Sequence, residues 1–276
     1  MIKPLYWMFK TENFREHVFY LIFRILFFLI LTFVLLICSN TINDTLISQI
    51  SYLLAVISLL MPTLMLQGYF WELTERIINR ETDITASNIY AKHSIKEIET
   101  IELPELGTAK FVWRGIASIV ASLMLLYPLI LFVIFTFFTS GESFKLLMFD
   151  NTQIIMTYIG LYCFIGLFVP ALMWNYANRN SVFAVWNLPK AIHIMGTYPF
   201  RYLFKVIQFL LFAAILYYIN IIIASAFGIT SSHSIGKDFL QNSIALIYCG
   251  ITFILNIYSI FVNAYILGTL APKEEA

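Results

Sequence analysis

The chain has 276 residues, 60% of them hydrophobic and only 12% charged, with a net charge of +1; soluble domains carry about 25% charged residues. So few charges cannot clothe a water-soluble surface, and with a mean hydropathy of +0.82 lipid must cover much of this one. The near-neutral balance gives no basis for nucleic-acid binding, and Cys38, Cys163 and Cys249 stand apart with no redox or metal spacing.

Spanning a hydrocarbon core of about 30 Å takes about 20 apolar residues. The first apolar run, 17–38, is longer than a signal-peptide core and no small-x-small cleavage site follows it, so it stays as a span. The second, 48–69, contains Pro62. Beyond it, Trp71–Arg80 continues as helix, where Glu72 and Arg76 are spaced to pair on one face. The polar, β-branched stretch 81–87 is expected to end that helix, with a second short helix over 88–101. The whole 70–111 loop is too small to be an independent catalytic domain. Its acidic residues Glu97, Glu99, Glu102 and Glu105 read as a solvated loop.

The third run, 112–138, carries Pro128 and the small residues Ala117, Ser118, Ala121 and Ser122, a pattern that permits close helix packing. The fourth, 153–174, carries Pro170. Before the fifth lies a short amphipathic segment. Asn187 can cap it, Pro189 suits its first turn, and Gly196 can end it. Leu188, Ala191, Ile192 and Met195 share one face, fitting a helix in the headgroup layer or a connector packed on the bundle. Runs 203–227 and 242–267 complete the set. The expected fold is all-α: one polytopic membrane domain over 1–276, six transmembrane helices as three hairpins with short cytoplasmic interfacial helices.

Charge then orients the spans. Of 17 Lys and Arg, all but Lys145 and Lys237 fall on the side that holds both termini and the 70–111 and 175–202 loops. Basic residues collect on the cytoplasmic side. That places both termini in the cytoplasm and requires an even number of spans. The three prolines Pro4, Pro104 and Pro189 each precede Arg15, Arg114 and Arg201 by 10 to 12 residues, which hints at a threefold unit of interfacial segment plus hairpin.

Signs of chemistry are few. Arg24, Arg114 and Lys205 sit just inside span ends, where they and Arg201 can snorkel to lipid headgroups. No Asp, Glu or His lies mid-span, which counts against a proton relay. The deep polar residues are uncharged: Thr157, Tyr158, Tyr217, Tyr218, Asn220, Asn256 and Asn263. The three asparagines serve helix packing or line a cavity, and Pro62, Pro128 and Pro170 kink their helices or are simply tolerated there. HExxH, GxSxG, P-loop and Rossmann signatures are absent, and His17, His93, His193 and His233 lack metal-ligand spacing. No cofactor or metal is expected.

The order of several short motifs resembles a bacterial and archaeal membrane family called domain of unknown function 4013. They are the aromatic and basic opening Leu5–Phe23, the glycine-aromatic step Gly68–Asn79, and Leu103-Pro104-Glu105 before the third span. Gly115, Tyr127-Pro128, the stretch NLPKAIHIMGTYPFRYLFKVI and the closing NAYILGTLAP follow, covering most of the chain; Leu106 stands where members often carry Trp. The resemblance implies a bacterial or archaeal inner (plasma) membrane and supplies no catalytic residue. The sequence is therefore read as a non-enzymatic membrane protein: an accessory, assembly or scaffold subunit with lipids, other subunits or a second copy as partners. The alternative is a transporter or permease for a small or lipid-like solute. A polar cavity at depth favours the second reading; a filled bundle favours the first.

Overall fold

The computed structural model describes residues 13–42, 44–88, 103–140, 152–227 and 239–271. Among them are seven α-helices and one 3-10 turn, with no strand. The helices are α1 (Phe14–Thr41), α2 (Thr45–Asn88), α3 (Thr108–Ser140), α4 (Thr152–Arg179), α5 (Leu188–Thr197), α6 (Pro199–Ala226) and α7 (Phe239–Gly268); the turn is Val182–Trp186. Among the described residues, five stretches are long and apolar enough to cross a membrane: Phe14–Thr41, Thr45–Asn79, Thr108–Tyr127, Pro199–Ala226 and Ser243–Gly268. They overlap the expected runs 17–38, 48–69, 112–138, 203–227 and 242–267, and the fold is consistent with a helical membrane protein. The expected run 153–174 lies in α4, many of whose side chains fall outside those described. The expectations for Pro4, for a helix over 88–101, and for Thr157 and Tyr158 also lie outside the described residues and side chains.

Periodicity explains which face of each helix goes inward. On α1, Leu21, Ile25 and Leu29 are buried, while Phe19, Phe23 and Ile30 are 72%, 67% and 63% exposed. Apolar side chains so exposed need a lipid solvent, because water-soluble monomers rarely show contiguous patches of this kind. The same holds on α6, where Leu210, Tyr217, Tyr218 and Ile222 point outward. Tyr217 and Tyr218 therefore belong to the outer surface.

The central element is α2, which packs against α1, α3, α4 and α7. Its start is capped by Asp44, whose Oδ1 accepts from the Leu46 N–H at 2.9 Å. Ser48 Oγ donates to the Ser39 carbonyl at 2.7 Å, and Ser58 Oγ to the Phe28 carbonyl at 3.1 Å, tying α1 to α2. Two glycines let α3 approach closely. A Cβ on Gly68 would overlap the Phe111 carbonyl, and one on Gly115 the Leu64 carbonyl. A third, Gly268, lets α7 in: its Cβ would lie 2.6 Å from Ile77 Cγ2. Ser118 and Ala121, from the small-residue pattern, are fully buried. Helix α2 continues to Asn88, past the stop expected at 81–87. Polar and β-branched residues extend a helix weakly, but extending an existing one avoids the cost of nucleation.

Two apolar clusters form the interior. One gathers α1, α2, α3 and α7 around Tyr69, whose ring stands edge-on to Phe111 and Phe261 at 5.2 Å and 5.7 Å. The other joins α2, α4, α5, α6 and the end of α7 around Trp71, Trp174 and Tyr176. Helix α4 ends on Asn180 in the left-handed region at φ 49°, a conformation asparagine tolerates at a helix C-terminus. Helix α5 begins as expected: the Asn187 side chain accepts from the Lys190 N–H at 3.2 Å, and Pro189 stands in the first turn. Its inward residues are Ala191 and Ile194, whereas Leu188 and Ile192 of the anticipated face are exposed. The helix is thus both a connector packed on the bundle and a bearer of outward apolar side chains.

Candidate functional site

The charged residues at the α2–α3 junction are used internally. Arg114, 7% exposed, pairs with Glu72, and its Nη2 lies 2.6 Å from Glu75 Oε2. Lys110 Nζ, more exposed, approaches Glu72 Oε1 at 2.7 Å. This corrects two expectations. Glu72 pairs across to α3, where helical spacing had paired it with Arg76; and Arg114, placed at the headgroups by its shallow depth, is buried between carboxylates. The physical reason is the glycine contact. With Gly68 and Gly115 drawing the helices together, Glu72 and Arg114 come within reach across the interface, and that geometry is invisible to a one-helix spacing rule.

Arg201 and Lys205, one turn apart on α6, converge on Thr269 just past the end of α7. Arg201 Nε and Nη2 donate to the Thr269 carbonyl at 2.9 Å and 2.7 Å. A cation there also meets the negative end of the α7 dipole. Lys205 Nζ donates to Thr269 Oγ1 at 2.6 Å and lies 5.4 Å from the centre of the Tyr265 ring. Thr269 Oγ1 in turn donates to the Tyr265 carbonyl at 2.7 Å. Thr269 is the residue that sequence reasoning missed; it stands just past the last apolar run, inside the closing stretch NAYILGTLAP, and was not singled out there.

Above Lys205 the helices part. A cavity of about 430 Å³ opens between α2, α4, α6 and α7, within the 300–1,000 Å³ range of ligand pockets. Along α7 it runs from Leu267 to Phe253, about 21 Å at 1.5 Å per residue. A polar stripe, Asn256, Ser259 and Asn263, follows one face of α7, and Gln67 and Thr63 add to it from α2. Apolar walls come from Leu66, Phe70, Phe209 and Phe253. Asn263 Nδ2 donates to Ser259 Oγ at 3.0 Å, whereas its buried Oδ1 has no hydrogen-bond partner among the described residues. Among the described residues lining the cavity, Lys205 is the sole ionisable side chain.

Pro170, inside α4, belongs to the cavity wall. Its ring removes one donor and loosens the preceding turn, where the Tyr202 hydroxyl from α6 donates to the Leu167 carbonyl. Other expected residues lie elsewhere. Pro62 is buried inside α2 but off the cavity wall, and Pro128 falls within α3 with its side chain outside those described. Asn220, on α6, has a buried Oδ1 without a partner among the described residues and does not line the cavity. Arg24 is half-buried, its guanidinium 5.4 Å from the centre of the Tyr20 ring. The structure brings together Lys205, Asn256, Asn263 and Pro170, leaving the rest apart. Among the described residues no three His, Cys, Asp or Glu side chains converge as a metal site requires.

Comparison with protein-family models, with curated proteins and with solved structures returned no match.

Proposed function

We propose that this chain is a six-span inner-membrane protein, with both termini cytoplasmic, that holds a lipid-like solute between its helices as a transporter or permease does. The observation that carries the reading is the 430 Å³ cavity with one polar wall and apolar walls facing it. A purely structural bundle has no use for Asn256, Ser259 and Asn263 along an open space, since polar groups at membrane depth are costly unless they meet a partner. The apolar walls argue against a hydrated ion path, and a proton relay would need titratable groups along the wall. The lining residues extend along α7 from Leu267 to Phe253, which suits a chain-bearing molecule.

The six-span count and orientation rest on the apolar runs and the one-sided Lys and Arg. Family membership is part of the same proposal. Its support is that, among the described glycines, a Cβ would collide with a neighbouring helix at Gly68, Gly115 and Gly268, three of the four that fall in the resembling motifs; Gly196 is the fourth.

Native mass spectrometry of protein released from lipid nanodiscs tests the reading. Wild type should carry a bound amphiphile. Ser259→Phe together with Val169→Phe, which fills the cavity from two helices, should carry none while unfolding at a similar temperature. Equal amounts of bound lipid on both proteins would refute the cavity reading. Stoichiometric retention of another membrane protein in both would favour the accessory or scaffold role.

A further inference from the structure

The walls of the cavity also constrain the chemistry of what enters. Lys205 lines one end, and its ammonium is anchored at 2.6 Å from Thr269 Oγ1. Arg201, one turn away on the same helix, reinforces the positive field while holding the Thr269 carbonyl. The nearby carboxylates of Glu72 and Glu75 are engaged by Arg114 and Lys110 and do not line the cavity. Next along the α7 wall stands Asn263, whose buried Oδ1 has no hydrogen-bond partner among the described residues. A buried unsatisfied acceptor is costly, and a ligand donor such as a hydroxyl relieves it. Beyond Asn263 the Phe209 and Phe253 rings offer apolar surface for a chain.

Resting on the proposed solute-binding function, we infer that the cavity takes an anionic amphiphile: a phosphate-type head against Lys205, a hydroxyl donating to Asn263 Oδ1, and an alkyl chain toward Phe253. The head lies beside the C-terminus of α7, where the cations of Lys205 and Arg201 offset the negative end of that helix dipole, and the chain follows the helix. An ammonium holds phosphate as a compact charge with rotatable donors, so the head needs no fixed fork geometry.

Three probes separate the parts of such a ligand: a monoacylglycerol phosphate, the matching monoacylglycerol, and glycerol phosphate without a chain. Binding is measured on full-length protein in nanodiscs. Wild type should bind the monoacylglycerol phosphate at least tenfold more tightly than either fragment. Lys205→Gln should remove that advantage while still binding monoacylglycerol, and Lys205→Arg should keep most of it. Asn263→Leu should weaken both acylated probes. If monoacylglycerol binds as well as the phosphate form and Lys205→Gln changes nothing, the anionic head is wrong while the cavity reading stands. Should glycerol phosphate alone bind as tightly as the acylated form, the site serves a free phosphate ester and the amphiphile is wrong. If no probe binds wild type, the cavity reading itself fails. Monoacylglycerol binding by Lys205→Gln shows that this variant is folded.

Discussion

Arg114 offers the sharpest test of the packing. It is 7% exposed, pairs with the 9%-exposed Glu72 side chain, and lies 2.6 Å from Glu75. Replacing it with Met keeps most of the apolar stem but leaves Glu72 buried with only Lys110, itself half-exposed. Removing one partner of a buried pair costs about 3–5 kcal/mol, because a charge is left without compensation. Retained contact with Lys110 puts the expected loss toward the lower end, near 3 kcal/mol. Glu72→Gln should cost less, since Arg114 keeps Glu75. The double variant should be more stable than the sum of the two losses predicts, with a coupling of roughly 1–3 kcal/mol. Reversible unfolding in mixed micelles, or thermal unfolding in nanodiscs, measures all three. A loss below about 0.5 kcal/mol for Arg114→Met is what an exposed surface cation would give, and it would refute the buried pair.

Further outcomes follow from the same geometry. Gly68→Ala or Gly115→Ala should destabilise by about 1–3 kcal/mol or more, because the added methyl meets backbone rather than a movable side chain; Gly160→Ala, with nothing within 4 Å, should be neutral or slightly stabilising. Thermal unfolding of the three variants side by side checks this, and equal melting temperatures would contradict the close approach. Tyr202→Phe should cost about 1 kcal/mol by removing the side-chain hydrogen bond to the Leu167 carbonyl; unchanged unfolding would remove that bond from the account. Single cysteines placed at Asn40 and Asn180 in a cysteine-free background should label from opposite sides of the membrane with an impermeant reagent. Labelling of both from one side would overturn the orientation.

Much of the helical plan was legible because lipid leaves a coarse signature. Long apolar runs, broken by charge, mark the five membrane-long stretches. Asn187 and Pro189 marked the start of α5 through local chemistry, which depends on neighbours in sequence. The candidate site was legible only in fragments. Asn256, Asn263, Pro170 and Lys205 were each singled out, but nothing in a linear pattern tells that they share a cavity while Asn220 and Pro62 do not. That outcome depends on how α6 rotates against α7, set by contacts such as Arg201 and Lys205 on Thr269. The cross-helix pairing of Glu72 with Arg114 was out of reach for the same reason. Spacing sees one helix, and its partner came from another, admitted by two glycines whose value lies in what they lack.

The most direct test of the central claim is an experimental structure of the protein in lipid nanodiscs at a resolution that shows bound lipid. Elongated density is expected between α2, α4, α6 and α7, with its polar end against Lys205 and its length beside Asn263, Ser259 and Asn256. A bundle in which those helices close together, filling the space with their own side chains, would contradict it.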